Sequence, residues 1–333
     1  MTKIVTELNN DIKEEILKDN LIIFPTETVY GIGANALSEK AVNKIFEVKT
    51  RAKNNPLIVH LKDKSEIEKY AIISNQIEQE LIDTFMPGPF TIILKKKEII
   101  PSCVTANMDS VGIRIPIHQM AHEFLELVNV PIAAPSANIS SRPSGTKVAD
   151  IKDEFDSLVP YIIDNGEATI GLESTVVKVI DNIPTILRPG FITYEDIISL
   201  VGCCNIAPGV LTKLDNNTKV ESPGMLYKHY APKTNCLLVY SSKIDTLKQI
   251  INDNLDDKTI IIGSSKLKDI PCYHFLNYGD TLVEISHNIF SLLRLADKYE
   301  ANKIIIEGVK KEGLGLAIMN RLIRTANFNY IEK

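Results

Sequence analysis

Short apolar runs alternate with segments of helical period along most of this chain, and that alternation restricts it to an α/β architecture. The runs predict strands over residues 21–24, 57–60, 91–94, 111–115, 132–134, 161–164, 174–180 and 185–188. Helices are predicted over 39–49, 77–85 and 118–128, where apolar residues such as Ala41, Val42, Ile45 and Phe46 recur on one face. Strands 174–180 and 185–188 follow one another across Asp181-Asn182, which reads as a hairpin. The sheet is therefore expected to be mixed, with flanking helices, and not a purely parallel Rossmann sheet.

The alternation lapses between Pro208 and Pro232. A polar run over 213–221 is followed there by SPGMLYKHYAP (222–232), whose prolines and glycine oppose regular structure. A second series then begins, with strands expected over 236–240, 259–263, 272–276 and 303–307 and helices over 244–255, 281–298 and 315–326. Strand–helix alternation of that length predicts a small, doubly wound, Rossmann-like α/β domain. The expected organisation is a larger domain over 1–207, a linker over 208–233 and the small domain over 234–333.

A net charge of −5 excludes a protein that coats nucleic acid non-specifically, although a local basic cleft stays open as a reading. The five cysteines are scattered, without a CxxC pair or histidines at zinc spacing, so reduced thiols in a cytoplasmic protein are expected. Charged residues occupy the N-terminus where a signal peptide needs an apolar core, and no run approaches the roughly 20 apolar residues of a membrane span.

The chemistry concentrates in loops after predicted strands. PTETVYGIGA (25–34) offers Thr26 and Thr28 as hydroxyl donors, and Gly31 and Gly33 are expected to let backbone approach a ligand closely. GIGANA imitates a dinucleotide fingerprint but does not follow its strand directly, so no nicotinamide site is expected. In KTRAKNNPLIVH (49–60), Lys49 and Arg51 either complement a helix end or clamp phosphate oxygens; Asn55 and His60 follow. Arg114 sits within an apolar strand in DSVGIRIP (109–116) and needs an acidic partner, from the protein or from a ligand. PIAAPSANISSRPSGT (131–146) holds five hydroxyls and Asn138, which reads as an anion-wrapping loop. GLESTVV (171–177) and ILRPG (186–190) bring Ser174 and Arg188 to strand ends. Carboxylates are sparse near these motifs, Glu27 and Glu173 being the main ones, which argues against paired-acid hydrolysis and an all-protein metal cage.

Taken in order and spacing, PTETVYG, KxR before NPL and a strand-ending histidine, SAN, STVV and RPG resemble the threonylcarbamoyl-AMP synthases, which share a YrdC-like core. The resemblance covers about residues 8–203, and SPGMLYKHYAP with GLGLAIMNRLIRTA (313–326) extends it to the family's two-domain form. It implies a YrdC-like twisted mixed sheet and a nucleotidyltransferase that joins L-threonine, bicarbonate or carbon dioxide, and ATP into threonylcarbamoyl-AMP and pyrophosphate. Downstream threonylcarbamoyl transferase proteins would then modify an adenosine beside the tRNA anticodon, with a tRNA contact as a further expectation.

By the family's pattern, Thr28, His60, Arg114, Ala134 and Ser174 match L-threonine positions. Lys49, Arg51, Asn55, Ser110, Ser136, Asn138, Ser144, Arg188 and Tyr230 match ATP positions, with Lys49 and Arg51 expected to be catalytic. No metal ligand is assigned; Mg2+ would arrive with ATP. The linker is expected to close over the site as a lid carrying Tyr230 and His229. Three positions depart from the family's usual pattern: Ser141 stands where glycine is common, Gly145 near a common proline, and Lys178 at a common aspartate. Two rivals are a basic RNA-binding module, which lacks interleaved aromatic residues, and a carbamoyl transferase, which lacks the usual cysteine pairs.

Overall fold

The computed structural model describes residues 1–213, 221–223 and 230–333. Its first sheet contains β1 (Lys3–Val5), β2 (Ile22–Phe24), β3 (Gly31–Asn35), β4 (Ile58–His60), β5 (Ala71–Ile72), β6 (Phe90–Lys96), β7 (Ser110–Arg114), β8 (Ile132–Ala134), β9 (Tyr161–Ile163), β10 (Thr175–Ile180), β11 (Ile183–Arg188) and β12 (Asn205–Ile206). Their spatial order is β1-β9-β2-β3-β8-β4-β7-β6-β10-β11-β12, with β5 also paired to β6. Parallel pairs such as β4–β7 and antiparallel pairs such as β6–β7 coexist, so the expected mixed sheet is found.

The central strands are continuous apolar runs because both faces of the sheet are covered. Ile23 and Ala133 pack into a core with Val42, Ile45 and Phe46 of the helix Glu39–Lys49. Ile22, Phe24, Ile132 and Ala134 point the other way, onto Ile12, Ile16, Phe124 and Leu125. β10 and β11 pair Ile180 with Ile183, and Asp181 (φ 50°) with Asn182 (φ 62°) forms the left-handed two-residue turn that such a hairpin requires.

One expectation needs correction. Gly31 and Gly33 belong to β3 and not to a ligand loop, and a Cβ on Gly33 would lie 2.7 Å from Ile132 and 2.9 Å from the Phe24 ring. Gly33 is glycine because Phe24 crosses it, while Gly31 also reaches the cavity described below.

The second sheet comprises β13 (Asn235–Tyr240), β14 (Thr259–Gly263), β15 (His274–Asn277), β16 (Lys303–Glu307) and β17 (Tyr330–Glu332) in the order β15-β14-β16-β13-β17. Every pairing is parallel, as the strand–helix alternation predicts. Its helix Leu314–Thr325 is buried along its whole length because the first domain covers the face that the small sheet does not. Val29 and Leu172 of the first domain join the same apolar cluster as Phe290, Ile318 and Leu322. Gly171 has φ +80°, and a Cβ there would lie 2.4 Å from the Ser286 carbonyl oxygen, so only glycine permits this close approach of the domains. Arg294 reaches back to pair with Glu154 at 2.9 Å and donates to the carbonyls of Asp150 and Pro143.

The lid expectation falls largely on residues outside those described, His229 among them. The described parts of that segment tie to the first domain, and the Tyr230 carbonyl accepts from the Thr325 hydroxyl of the second at 3.2 Å. Glu221 accepts from Lys178 and Ser110 at 2.7 Å each, and the Ala231 amide donates to the Ser141 carbonyl at 2.8 Å. All five cysteines are free, and no helix among the described residues is long and apolar enough to cross a membrane.

Candidate active site

Strand register builds the centre of the site. His60 closes β4, Arg114 closes β7, and the two are partners across a parallel pair. Thr91 of β6 lies opposite Arg114, so the three side chains share one face. One Arg114 nitrogen, Nη2, donates to Glu27 Oε1 at 2.6 Å and to the Thr28 hydroxyl at 2.8 Å. Thr28 in turn is 2.9 Å from the Thr26 hydroxyl, which donates to the Val29 carbonyl at 2.6 Å. Glu27 is thus the protein partner for the buried arginine. Yet Arg114 Nε and Glu27 Oε2 are buried without a hydrogen-bond partner, so the pair is polar but incompletely satisfied.

His60 is enclosed, with Nδ1 also unpartnered and its ring 5.9 Å from Phe24. Burial, reinforced by Arg114, pushes its pKa down to about 3, so the imidazole is neutral at physiological pH. An unfolded histidine titrates near 6.5, and between the two values the unfolded chain binds the extra proton. The contribution of a neutral, buried His60 is therefore intact above that upper value and shrinks as pH falls. Melting temperature is expected to drop between pH 7 and 5, and His60→Gln should flatten that slope; an equal slope in the variant would exclude His60 as its source.

Arg188, the last residue of β11, meets this group from the far side. Its Nε donates to the Ser174 carbonyl and its Nη2 to the Ser174 hydroxyl, both at 3.1 Å. The same hydroxyl is 2.8 Å from Thr91, so Arg114, Thr91, Ser174 and Arg188 form a continuous row. Arg51 follows the helix Glu39–Lys49, whose end turns through left-handed Thr50 with a 2.8 Å bond from the Arg51 amide to the Phe46 carbonyl. Its side chain donates to the carbonyls of Asn55 and Pro56 at 3.3 and 3.0 Å. Burial lowers both Arg51 and Arg188 to about 10, which leaves each cationic at neutral pH.

Arg51, His60, Arg114, Ala134, Ser136, Ser174, Arg188 and Tyr230 line one cavity of about 580 Å3, part of it open to solvent. Four other residues stand a layer behind: Thr28 supports Arg114, Ser144 donates to Glu173 at 2.6 Å, Asn138 accepts from Ser136 at 2.6 Å, and Asn55 holds Arg51 through its carbonyl. Lys49 does not reach the wall. Its ammonium donates to the carbonyls of Ser136 (2.6 Å) and Asn138, and burial pushes its pKa down. Ser110 starts the strand that Arg114 ends, roughly 13 Å away at strand rise, and bonds Glu221 instead.

Thr91, Glu173 and Arg321 carried no assigned role in the sequence reading. Glu173 lines the cavity, and Arg321 of the second domain grips it through Nε at 2.9 Å. Only their distance in space reveals the pair.

Residues 14–190 match the family described as "Telomere recombination", and residues 192–327 match "Threonylcarbamoyl-AMP synthase, C-terminal domain". The threonylcarbamoyl-AMP synthase of Pyrococcus abyssi is 39% identical, covering 95% of this chain and 93% of its own. The chain belongs to the threonylcarbamoyl-AMP synthase family. The Bacillus subtilis threonylcarbamoyl-AMP synthase is 36% identical over 93% of this chain and 91% of its own. The crystal structure of P. abyssi Sua5 complexed with L-threonine superposes with a TM-score of 0.92 at 37% identity, over 100% of this chain and 99% of that one.

Departures from the threonylcarbamoyl-AMP synthase pattern acquire structural reasons. Ser141 is left-handed at φ 74°, a conformation that glycine adopts without strain. Ser141→Gly is expected to stabilise the fold by less than about 1 kcal/mol, the relief of strain being partly offset by a freer unfolded chain. Denaturant titration checks this, and a loss of stability would reject it. A Cβ on Gly145 would lie 2.0 Å from Ile151, so this loop has closed on a residue that a proline would displace. Lys178 pairs with Glu221 at 2.7 Å and so anchors the interdomain segment.

Proposed function

We propose that this protein condenses L-threonine, bicarbonate or carbon dioxide, and ATP into threonylcarbamoyl-AMP and pyrophosphate, for threonylcarbamoyladenosine formation next to the tRNA anticodon. The observation that carries the proposal is the continuous row from Arg114 through Thr91 and Ser174 to Arg188, which joins two ligand ends in one cavity. His60, Arg114, Ala134 and Ser174 surround the amino-acid end, with Thr28 behind Arg114. Arg51, Ser136, Arg188 and Tyr230 surround the nucleotide end. Arg114 and His60 line the cavity with Nε and Nδ1 unpartnered in the protein, so the guanidinium can answer the threonine carboxylate and neutral His60 an amine or hydroxyl.

The neutral amine of threonine adds to carbon dioxide and loses a proton, giving a carbamate. A carbamate oxygen then attacks the α-phosphorus of ATP, and the bond to the bridging oxygen breaks so that pyrophosphate leaves with the electron pair. No protein nucleophile is needed. Catalysis rests on juxtaposing two reactants and on cations aimed at the phosphoryl oxygens. Arg188, where the two ends meet, and Arg51 supply those cations, with Mg2+ entering as part of the MgATP substrate. Lys49 acts by fixing the Ser136–Asn138 carbonyls and so the shape of the nucleotide loop.

The product passes to threonylcarbamoyl transferase proteins, with tRNA contact at that later stage; a cytoplasmic location agrees with five free thiols. Pyrophosphate release measured with each amino acid in turn, with and without bicarbonate, tests the reading. Release that requires both threonine and bicarbonate is expected, and release indifferent to threonine would overturn it.

A further inference from the structure

The cavity wall contains one carboxylate that an ATP site should not tolerate. Glu173 is buried (6% exposed) among residues that would face a polyanion, and its charge would repel the phosphates. Both of its oxygens are engaged. Ser144 donates to Oε1 at 2.6 Å, and Arg321 donates to Oε2 at 2.9 Å. Arg321 comes from the helix Leu314–Thr325 of the C-terminal domain, is fully buried, and also donates to the Pro189 carbonyl at 2.7 Å, one residue beyond Arg188. Its guanidinium lies 5.7 Å from the centre of the Tyr230 ring, which stacks on Phe290 of the same domain at 5.1 Å. Burial pushes the Glu173 carboxyl upward, but Arg321 and then Arg188 outweigh it, so the group stays ionised.

We propose that Arg321 is a positioning residue through which the C-terminal domain completes the ATP site, by neutralising Glu173 and holding it, Ser144 and Tyr230 in place. The inference rests on the nucleotide reading of this cavity. Arg321 touches no reacting atom; it removes a repulsive charge from the wall and fixes the carboxylate that orients Ser144. The second domain is therefore part of the nucleotide site, and its loss leaves Glu173, with only Arg188 and Ser144 left to offset it, as an anion facing the phosphates. The threonine end lies beyond Ser174 and is supported by Glu27, Thr28 and Thr91, none of which contacts Arg321.

The test uses the full chain and two readouts, ATP affinity by calorimetry and the KM values for ATP and threonine from pyrophosphate release. Arg321→Met is expected to weaken ATP at least tenfold in both Kd and KM, with the threonine KM within about twofold. Adding Glu173→Gln to it removes the orphaned charge and should recover most of the ATP affinity, which a merely structural role for Arg321 would not allow. Should Arg321→Met alone fail to fold, the double variant decides: ATP affinity close to wild type supports the proposal, and a tenfold loss in the folded double variant overturns it. Unchanged ATP affinity in Arg321→Met also overturns it. Wild-type turnover separates the two readings, because a wild-type protein that binds ATP without threonine-dependent turnover refutes the reaction while the calorimetric comparison still judges Arg321.

Discussion

Arg188→Ala is expected to reduce kcat/KM for threonine-dependent pyrophosphate release by about a hundredfold to a thousandfold, the scale seen when one preorganised donor to a developing charge is removed. Arg188 ends β11 beside Ser174, where the proposed amino-acid and nucleotide ends meet, and it is held there by two 3.1 Å bonds to one residue. That fixed fork is already oriented before ATP arrives, so little reorganisation accompanies the transition state. Arg188→Lys should recover little of the loss, because a compact ammonium lacks the planar fork that holds the Ser174 carbonyl and hydroxyl in one fixed geometry. The loss should appear in kcat as well as in the ATP KM, since charge at the α-phosphorus grows during the step. Steady-state kinetics on a variant with a near wild-type melting temperature make the measurement. A tenfold or smaller effect would move the reacting phosphorus away from Arg188 and towards Arg51.

Elements made of strong local signals were legible in the sequence. The helix Glu39–Lys49 and strands β8, β14 and β16 coincide with their expected bounds, because continuous apolar runs and a Ser38 cap act within a few residues. Strand β3 was not legible, since GIGAN has the composition of a turn and becomes a strand only where Phe24 and Ile132 pack over it. Short β1, β12 and β17 draw their pairing from distant partners such as Tyr161, Thr185 and Leu238. The site divides in the same way. Residues at strand ends, His60, Ala134 and Arg188, fall where a strand-by-strand reading puts them, while Arg114, expected inside a strand over 111–115, closes β7. The direction of the Lys49 ammonium is decided by carbonyls 87 and 89 residues later, and the Arg321–Glu173 pair spans 148 residues. No local pattern carries such information.

Arg114 is where stability and substrate binding are coupled, and separating them gives the second large effect. Arg114→Ala leaves the Glu27 carboxylate buried without its cation, a change that costs about 3–5 kcal/mol in comparable buried pairs. The same substitution removes the group proposed to face the threonine carboxylate, so the threonine KM is expected to rise by about thirtyfold to a hundredfold, the equivalent of one charge-assisted hydrogen bond of 2–3 kcal/mol. The ATP KM should change by no more than a few-fold, since Arg51 and Arg188 remain. Arg114→Met combined with Glu27→Gln removes both charges at similar volume and should restore most of the stability, because the penalty comes from the orphaned carboxylate. It should not restore threonine affinity. Thermal denaturation and steady-state kinetics on the single and double variants read the two effects independently. A double variant that recovers the threonine KM would show that Arg114 serves only Glu27, and the amino-acid end would then need another anchor for the carboxylate.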